Sequence, residues 1–154
     1  MTLLVGRRVL LVEDESLVAM LAEDMLLDLG CEVVVAMRLD RALNHARTER
    51  FDLAVLDVNL GDARSYPIAD LLFENGTPFL FATGYGKQGL DTDYQAVPVV
   101  QKPYQIGQME HLLIHLLTCE IPPRKGGHMP AVLCQCHNGS EPAQSRKFRA
   151  DPLN

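Results

Sequence analysis

The chain has 154 residues, of which 47% are apolar and 22% are charged, a composition typical of a water-soluble globular protein. No apolar run approaches the roughly 20 residues that a membrane span requires. The N-terminus MTLLVGRRVLLVEDE also lacks the long apolar centre and the cleavage site of a signal peptide. The composition therefore argues against a membrane-spanning protein, and we expect a cytoplasmic one.

Charge and proline content both change near residue 118. Residues 1–118 carry 9 Lys and Arg against 17 Asp and Glu, whereas residues 119–154 carry 5 against 3. An acidic body of this kind argues against a nucleic-acid-binding surface. Residues 119–154 also hold five of the nine prolines and show no apolar periodicity. We therefore predict one domain over 1–118, followed by a disordered tail over 119–154.

The first predicted elements are a strand and a helix. Arg8–Val12 is a short apolar strand, and Ser16 is predicted to cap a helix over 17–29 that Gly30 ends. The apolar stripe predicted to face a sheet comprises Leu17, Met20, Leu21 and Met25, widened by Val18 and Leu29. One face of this helix is therefore expected to pack against a sheet.

Strands and helices alternate through the rest of the domain. Further strands are predicted at Glu32–Ala36, 53–56, 78–82 and 97–100, and further helices at 39–47, 67–75 and 105–117. The last helix is predicted to place Ile106, Met109, Leu113 and Leu116 on one face. Residues 84–96 hold three glycines and little periodicity, which predicts at most a short helix there. Short apolar strands joined by helical crossovers predict a doubly wound α/β fold, a five-stranded parallel sheet with helices on both faces.

Polar residues follow four of the five predicted strands. The first strand runs into Glu13-Asp14, the third into Asp57, the fourth into Thr83 and the fifth into Lys102. Ligands of open parallel sheets bind at the carboxyl ends of the strands. These side chains are therefore expected to meet at one edge of the sheet.

This set of residue types predicts phosphoryl chemistry with a metal ion. Clustered carboxylates repel one another unless a cation lies among them, and Mg²⁺ accepts oxygen ligands of this kind. Lys102 can neutralise a phosphoryl oxygen, the Thr83 hydroxyl can hydrogen-bond another, and Asp57 can attack phosphorus.

Each of these residues also has an ordinary structural explanation. Asp57 alone is compatible with a turn, Glu13-Asp14 with the first turn of a helix, Thr83 with a turn hydroxyl and Lys102 with a solvated strand end. Five such residues at four strand ends, in the appropriate chain order, favour the shared site over these separate explanations.

The motifs LLVEDE, AVLDVNL, FATGYG and VVQKPY resemble those of the receiver domain of two-component response regulators, over about residues 7–118. The resemblance implies a flavodoxin-like sheet with strand order 2-1-3-4-5. It also implies one role for each matching position: Asp57 is the phosphoacceptor, Glu13, Asp14, Asp57 and the Asn59 main-chain carbonyl hold Mg²⁺, Thr83 is the switch hydroxyl and Lys102 contacts the phosphoryl group.

A narrower resemblance concerns the stretch PFLFATGYG, which is similar to the signature of the FAT GUY subgroup of receivers. The sequence departs from ordinary receivers at Val99, where the fifth strand usually has an aromatic switch residue three positions before the lysine. Tyr85 and Tyr104 are candidates for an alternative reporter, although either can simply cover a loop or a helix end. The turn after Asp57 also lacks the proline-glycine pair of many receivers.

The resemblance implies a bacterial single-domain response regulator without a separate enzymatic output. It would accept a phosphoryl group on Asp57 from a sensor histidine kinase or a phosphotransfer protein. Output would be contact with a downstream protein, or with a second copy of the chain in a homodimer, through one face of the domain. That face comprises the short helix predicted within 84–96 (helix four), the strand 97–100 (strand five) and the helix 105–117 (helix five). Two alternatives remain open: a phosphate-independent binding scaffold, and a Mg²⁺-dependent phosphatase or hydrolase with Asp57 as nucleophile. The latter needs a general-acid carboxylate at position 59, which is Asn.

Overall fold

The computed structural model describes residues 3–84 and 90–118, and every structural statement below refers to these residues. In chain order its elements are β1 Arg8–Val12, α1 Ser16–Asp28, β2 Glu32–Ala36, α2 Leu39–Thr48, β3 Leu53–Asp57, β4 Asn59–Leu60, β5 Ala63–Arg64, α3 Tyr66–Asn75, β6 Phe79–Thr83, a 3-10 helix at Thr92–Tyr94, β7 Val99–Gln101 and α4 Ile106–Thr118. The predicted tail over 119–154 lies outside the described residues.

The main sheet has five strands in the order β2-β1-β3-β6-β7, and all of its neighbouring pairs are parallel. This order is the predicted 2-1-3-4-5 arrangement, because β6 and β7 are the fourth and fifth strands of this sheet. Every residue of β3 and β6 is buried. Such central strands lose contact with water on both faces, which explains their nearly unbroken apolar sequences.

Alternate residues along the strands belong to two separate hydrophobic cores, one on each face of the sheet. On one face, Leu56 and Phe81 pack with side chains of α2 and α3. On the other face, Val55 and Leu80 pack with side chains of α1 and α4. The sheet is therefore held between two helical layers, as predicted, and its carboxyl edge is left to the loops.

The buried face of helix α1 agrees only in part with the prediction. Its sheet-facing residues are Ala19, Ala22 and Leu26, whereas Leu17 is 78% exposed and Met20 is 58% exposed. Three residues of the predicted stripe do pack against the core: Val18, Met25 and Leu29. The prediction was wrong for Leu17, Met20 and Leu21, because apolar residues occur on nearly every side of this helix and periodicity alone does not select one face. The small alanine side chains let the helix backbone approach the sheet closely.

The start of α1 also corrects the prediction that Ser16 caps this helix. Ser16 is the first helical residue and Glu15 occupies the cap position, with no capping hydrogen bond from a side chain within the described part of the chain. The first turn therefore lies immediately beside the acidic cluster that ends β1.

The connections on either side of β6 differ in detail from the sequence-based expectation. The loop after β3 contains a small antiparallel hairpin of β4 and β5, two strands too short to give a periodic signal. For the predicted short helix over 84–96, residues 85–89 lie outside the described residues, and the described remainder contains the 3-10 helix.

Helix α4 buries Met109, Leu113 and Leu116 of the predicted face, together with Leu112. Ile106, the remaining residue of the predicted face, is the first helical residue and is 41% exposed. Among the described residues, no helix combines the length and apolar character that crossing a membrane requires.

Candidate functional site

The predicted polar residues meet at the carboxyl edge of the sheet. Glu13 and Asp14 directly follow β1, Asp57 is the last residue of β3, Thr83 is the last residue of β6, and Lys102 directly follows β7. Asp57 is in register with Ala82, so Thr83 lies one position beyond it on the neighbouring strand. The Lys102 N–H donates a hydrogen bond of 2.9 Å to the Thr83 carbonyl, which joins the ends of β6 and β7.

Three carboxylates form the centre of this edge. One side-chain oxygen from each of Glu13, Asp14 and Asp57 lies within 4.8 Å of the others. Glu13 is fully buried, Asp57 is 5% exposed, and Asp14 lies at the exposed rim. The arrangement is an acidic cleft in the sense that two of its carboxylates are buried and the third lies at the exposed rim.

Lys102 bridges the two buried carboxylates. Its Nζ atom lies 3.3 Å from Asp57 Oδ1 and 3.4 Å from Glu13 Oε1. One cation does not balance three carboxylates, so the fully ionised cluster keeps a negative charge. The site therefore favours an additional cation.

Protonation in the site follows from burial and charge. Burial raises the pKa of Glu13 to about 7, and a hydrogen bond and charge repulsion from Asp57 act in the same direction. Burial also raises the pKa of Asp57, against the opposing effects of Glu13 and Lys102. For Lys102, burial alone would lower the pKa, but the charges of Asp57 and Glu13 outweigh it and the pKa is raised. Lys102 thus stays charged while the two buried acids compete for a proton.

Backbone N–H groups fix the orientation of the carboxylates. The Asn59 N–H donates to Asp57 Oδ1 at 3.4 Å, and the Gly61 N–H donates to Asp14 Oδ2 at 2.8 Å. Gly61 has a φ of 62°, a conformation that glycine adopts without strain. The β4–β5 hairpin is thereby attached to the acidic cluster. The role of the Asn59 main-chain carbonyl as a metal ligand stays a prediction.

Tyr104 contributes a contact with Glu13 that the sequence did not predict. Its hydroxyl lies 3.4 Å from Glu13 Oε1, and its side chain is 5% exposed. The sequence marked Tyr104 as a candidate reporter, but a contact with a residue 91 positions away depends on tertiary packing. The other candidate, Tyr85, lies outside the described residues.

Position 99 was expected to affect switching. Val99 is the first residue of β7, is half-buried and pairs with Phe81. Tyr66 and Tyr94 pack near this strand with ring centroids 4.1 Å apart and nearly parallel, and both rings meet Phe81 edge-on. These three rings come from α3, β6 and the 3-10 helix.

The donor set of the cleft fits a hard divalent cation. Glu13, Asp14 and Asp57 offer only oxygen ligands, close together and partly open to solvent, which suits Mg²⁺ with several retained waters. The raised pKa values of the two buried acids also indicate that the cluster is charge-frustrated without a cation. These three residues are the ones that would hold the ion.

Comparison with known families agrees with this geometry. Residues 9–114 match the response regulator receiver domain. The match covers well over half of the chain and includes all of the site residues described above. The chain therefore belongs to the response regulator receiver domain family.

Solved structures of similar proteins support the same assignment. The chain is 36% identical to SdrG from Sphingomonas melonis Fr1, with 75% of this chain and 98% of SdrG covered and a TM-score of 0.66. The BeF3-activated conformation of SdrG, described as from Pseudomonas melonis Fr1, gives 37% identity, coverage of 72% and 96%, and a TM-score of 0.63. A comparison with curated proteins found no match.

A more distant structure shares the fold alone. The receiver domain of the sensor histidine kinase PA1611 from Pseudomonas aeruginosa PAO1 is 21% identical, with 73% of this chain and 98% of that chain covered and a TM-score of 0.63. That structure has a magnesium ion coordinated in its active site cleft. Its fold is the flavodoxin-like fold described above.

Proposed function

We propose that this protein is a cytoplasmic, bacterial single-domain response regulator of the FAT GUY subgroup that accepts a phosphoryl group on Asp57. The observation that carries the proposal is the position of Asp57, at the end of β3, with Lys102 Nζ 3.3 Å away and two further carboxylates in contact range. The stretch PFLFATGYG supports the narrower subgroup assignment.

The proposed donor is a phosphohistidine of a sensor histidine kinase or a phosphotransfer protein. An Asp57 carboxylate oxygen attacks phosphorus, so that a P–O bond forms while the P–N bond to the donor histidine breaks and the imidazole leaves with the bonding electrons. Lys102 pairs with a phosphoryl oxygen, and the Thr83 hydroxyl donates a hydrogen bond to another. Mg²⁺ held by Glu13, Asp14, Asp57 and the Asn59 carbonyl would supply charge neutralisation for the transferring group.

The exposed surface of α1 supports a protein as the donor. Leu17, Met20 and Leu21, which we call the α1 patch, are 78%, 58% and 45% exposed. Exposed apolar clusters of this kind mark interaction surfaces. The α1 patch begins three residues after Asp14, so a helical donor protein seated on it is adjacent to the mouth of the acidic cleft. We therefore assign the α1 patch to the phosphodonor protein.

The proposed output is a change in protein contact and not a separate enzymatic activity. Thr83 and Lys102 respond to the phosphoryl group from the ends of β6 and β7, which are directly hydrogen-bonded to each other. Their movement would alter the face formed by the β6–β7 connection, β7 and α4. A downstream protein, or a second copy of this chain, would read that face. The acidic composition of residues 1–118 argues against nucleic acid as the partner.

Two other functions make different predictions. A phosphatase would need a general acid at position 59, and the Asn59 amide does not supply one. A phosphate-independent scaffold would keep its partners in the absence of phosphotransfer. The buried carboxylates Glu13 and Asp57 repel each other and lower the stability of the fold. Their presence therefore favours a functional phosphoryl site over a passive scaffold.

Intact mass spectrometry tests the proposal. Wild type and Asp57→Asn are incubated with acetyl phosphate and Mg²⁺, or with acetyl phosphate and EDTA. We expect a gain of roughly 80 Da, one phosphoryl group, only in the wild type with Mg²⁺. If a purified phosphohistidine donor also gives no gain in wild type, the phosphoacceptor proposal is wrong and the scaffold is favoured.

A further inference from the structure

The carboxyl group of Glu13 is fully buried and depends on a small set of hydrogen-bond donors. Among the described residues, Glu13 Oε2 accepts from the Glu15 N–H at 3.3 Å, and Oε1 accepts from Lys102 Nζ and from the Tyr104 hydroxyl, each at 3.4 Å. A buried carboxylate oxygen that loses its partners pays a desolvation cost. The donors of Oε1 therefore decide whether Glu13 keeps its position.

The two donors of Oε1 are not equivalent. Lys102 is also 3.3 Å from Asp57 and is 21% exposed in its side chain, so it is free to turn toward a new anion in the cleft. In the proposed reaction Lys102 pairs with the phosphoryl group and its contact with Glu13 weakens. Oε1 then needs a donor that does not take part in the transfer.

Tyr104 meets that requirement. Its ring is packed in the core between the sheet and α4, in the same cluster as Met109 and Leu113. Its hydroxyl lies against Glu13 and cannot turn away without unpacking the ring. Burial, and the charges of Glu13 and Asp57, raise the pKa of Tyr104, so that it stays a neutral donor at physiological pH.

We propose that Tyr104 is a positioning residue that holds Glu13 Oε1 in the geometry for divalent-cation binding and keeps this oxygen partnered when Lys102 engages the phosphoryl group. The inference rests on the proposed function and deepens it. Tyr104, an aromatic residue close to the end of β7, thereby has a specific contact in the site. Val99, which stands where receivers usually have an aromatic residue, has no polar side-chain atom to make such a contact. Because Tyr104 packs against α4, the contact links the cation site to that helix.

A Mg²⁺ titration of the full chain, followed by ¹H–¹⁵N NMR, tests the inference. Tyr104→Phe removes only the hydroxyl and keeps the ring. Tyr94→Phe is the matched control, because it removes another buried tyrosine hydroxyl, one that donates to Asp70 at 2.8 Å in the opposite core. We expect Tyr104→Phe to weaken Mg²⁺ binding about three- to tenfold and Tyr94→Phe to change it less than about twofold.

The outcomes separate the inference from the proposed function. If wild type binds Mg²⁺ and Tyr104→Phe binds it equally well, the positioning role is wrong and the proposed function stands. If wild type shows no Mg²⁺ response at Glu13, Asp14 and Asp57, the proposed metal site is wrong. In wild type labelled with ¹³C-tyrosine, we also expect Mg²⁺ to shift the Tyr104 Cζ resonance and to leave that of Tyr94 unchanged. This second readout does not depend on a variant that folds, and an unchanged Tyr104 resonance would overturn the inference.

Discussion

Glu13 is the residue whose protonation most directly affects Mg²⁺ binding in the acidic cleft. With a pKa of about 7, raised mainly by burial, it is partly protonated at neutral pH before a cation binds. A protonated carboxyl group is a poor metal ligand, so proton and metal compete for the same oxygens. The pH of the solution therefore sets how much of the protein is ready to bind Mg²⁺.

The apparent Mg²⁺ affinity is expected to fall as the pH drops through 7. The deprotonated form of Glu13 dominates above pH 7 and its population decreases below it, so binding at pH 5.5 should be weaker than at pH 7.5 on the order of tenfold. Isothermal titration calorimetry in buffers of different ionisation enthalpy measures both the affinity and the proton released. A Glu13→Gln variant should lose the proton release, and pH-independent binding in wild type would contradict the account.

In the metal-free protein, the ionised Asp57 side chain is expected to lower the free energy of unfolding. Its pKa is raised in the folded state by burial, so the ionised form is less stable in the fold than in the unfolded chain. This penalty is absent well below the ordinary aspartate pKa, grows as the pH rises from that value to the raised pKa of the folded state, and is constant above it. In EDTA at pH 7.5, Asp57→Asn should therefore raise the free energy of unfolding above that of wild type, and by less at pH 4. Denaturant unfolding at pH 7.5 and pH 4 measures this difference, and a destabilised Asp57→Asn protein would refute it.

At the scale of elements, the sequence predicted strands better than helix faces. β1 and β2 have their predicted bounds, and the other main strands differ by at most two residues at either end, because buried parallel strands are continuous apolar runs. The buried face of α1 was not predictable in the same way, since leucine and methionine residues surround the alanines that contact the sheet. The β4–β5 hairpin was missed because two-residue strands carry no pattern.

The α1 patch leads to a prediction about the donor. Leu17→Gln combined with Met20→Gln should lower the rate of transfer from a phosphohistidine protein at least tenfold, because apolar contacts at the centre of an interface supply most of its binding energy. Phosphorylation by acetyl phosphate should be unchanged, since the cleft is intact. Leu27→Gln is the matched control, an exposed leucine at the other end of the same helix. Equal transfer rates for the double variant and wild type would show that the donor binds elsewhere.

At the scale of the whole molecule, strand order explains why the site was predictable. Glu13, Asp57, Thr83 and Lys102 are far apart in the chain, but each ends or follows a strand of one parallel sheet, so the topology alone brings them to one edge. The Tyr104–Glu13 contact was not predictable, because it depends on how α4 packs against the sheet. Sequence patterns therefore predicted which residues form the site, but not the tertiary contacts that orient their side chains.

Phosphorylation must also be sufficient to change the state of the whole domain. Moving a population from 1:99 to 99:1 requires about 5.5 kcal/mol of differential stabilisation. The contacts available for this purpose are the Lys102 pairing, the Thr83 hydrogen bond and the links of the β4–β5 hairpin to Asp57 and Asp14. These contacts surround the Asp57 carboxylate and the neighbouring Asp14 carboxylate, which makes the identity of the modified residue the central claim.

The most direct test is to map the phosphoryl group to a residue. The protein is phosphorylated in Mg²⁺, treated with borohydride, which reduces an acyl phosphate to an alcohol, and digested for peptide mass spectrometry. We predict homoserine at position 57, only in samples that received both phosphodonor and Mg²⁺. Reduction at another carboxylate, or a stable phosphate on a hydroxyl or histidine side chain with Asp57 unchanged, would contradict the account.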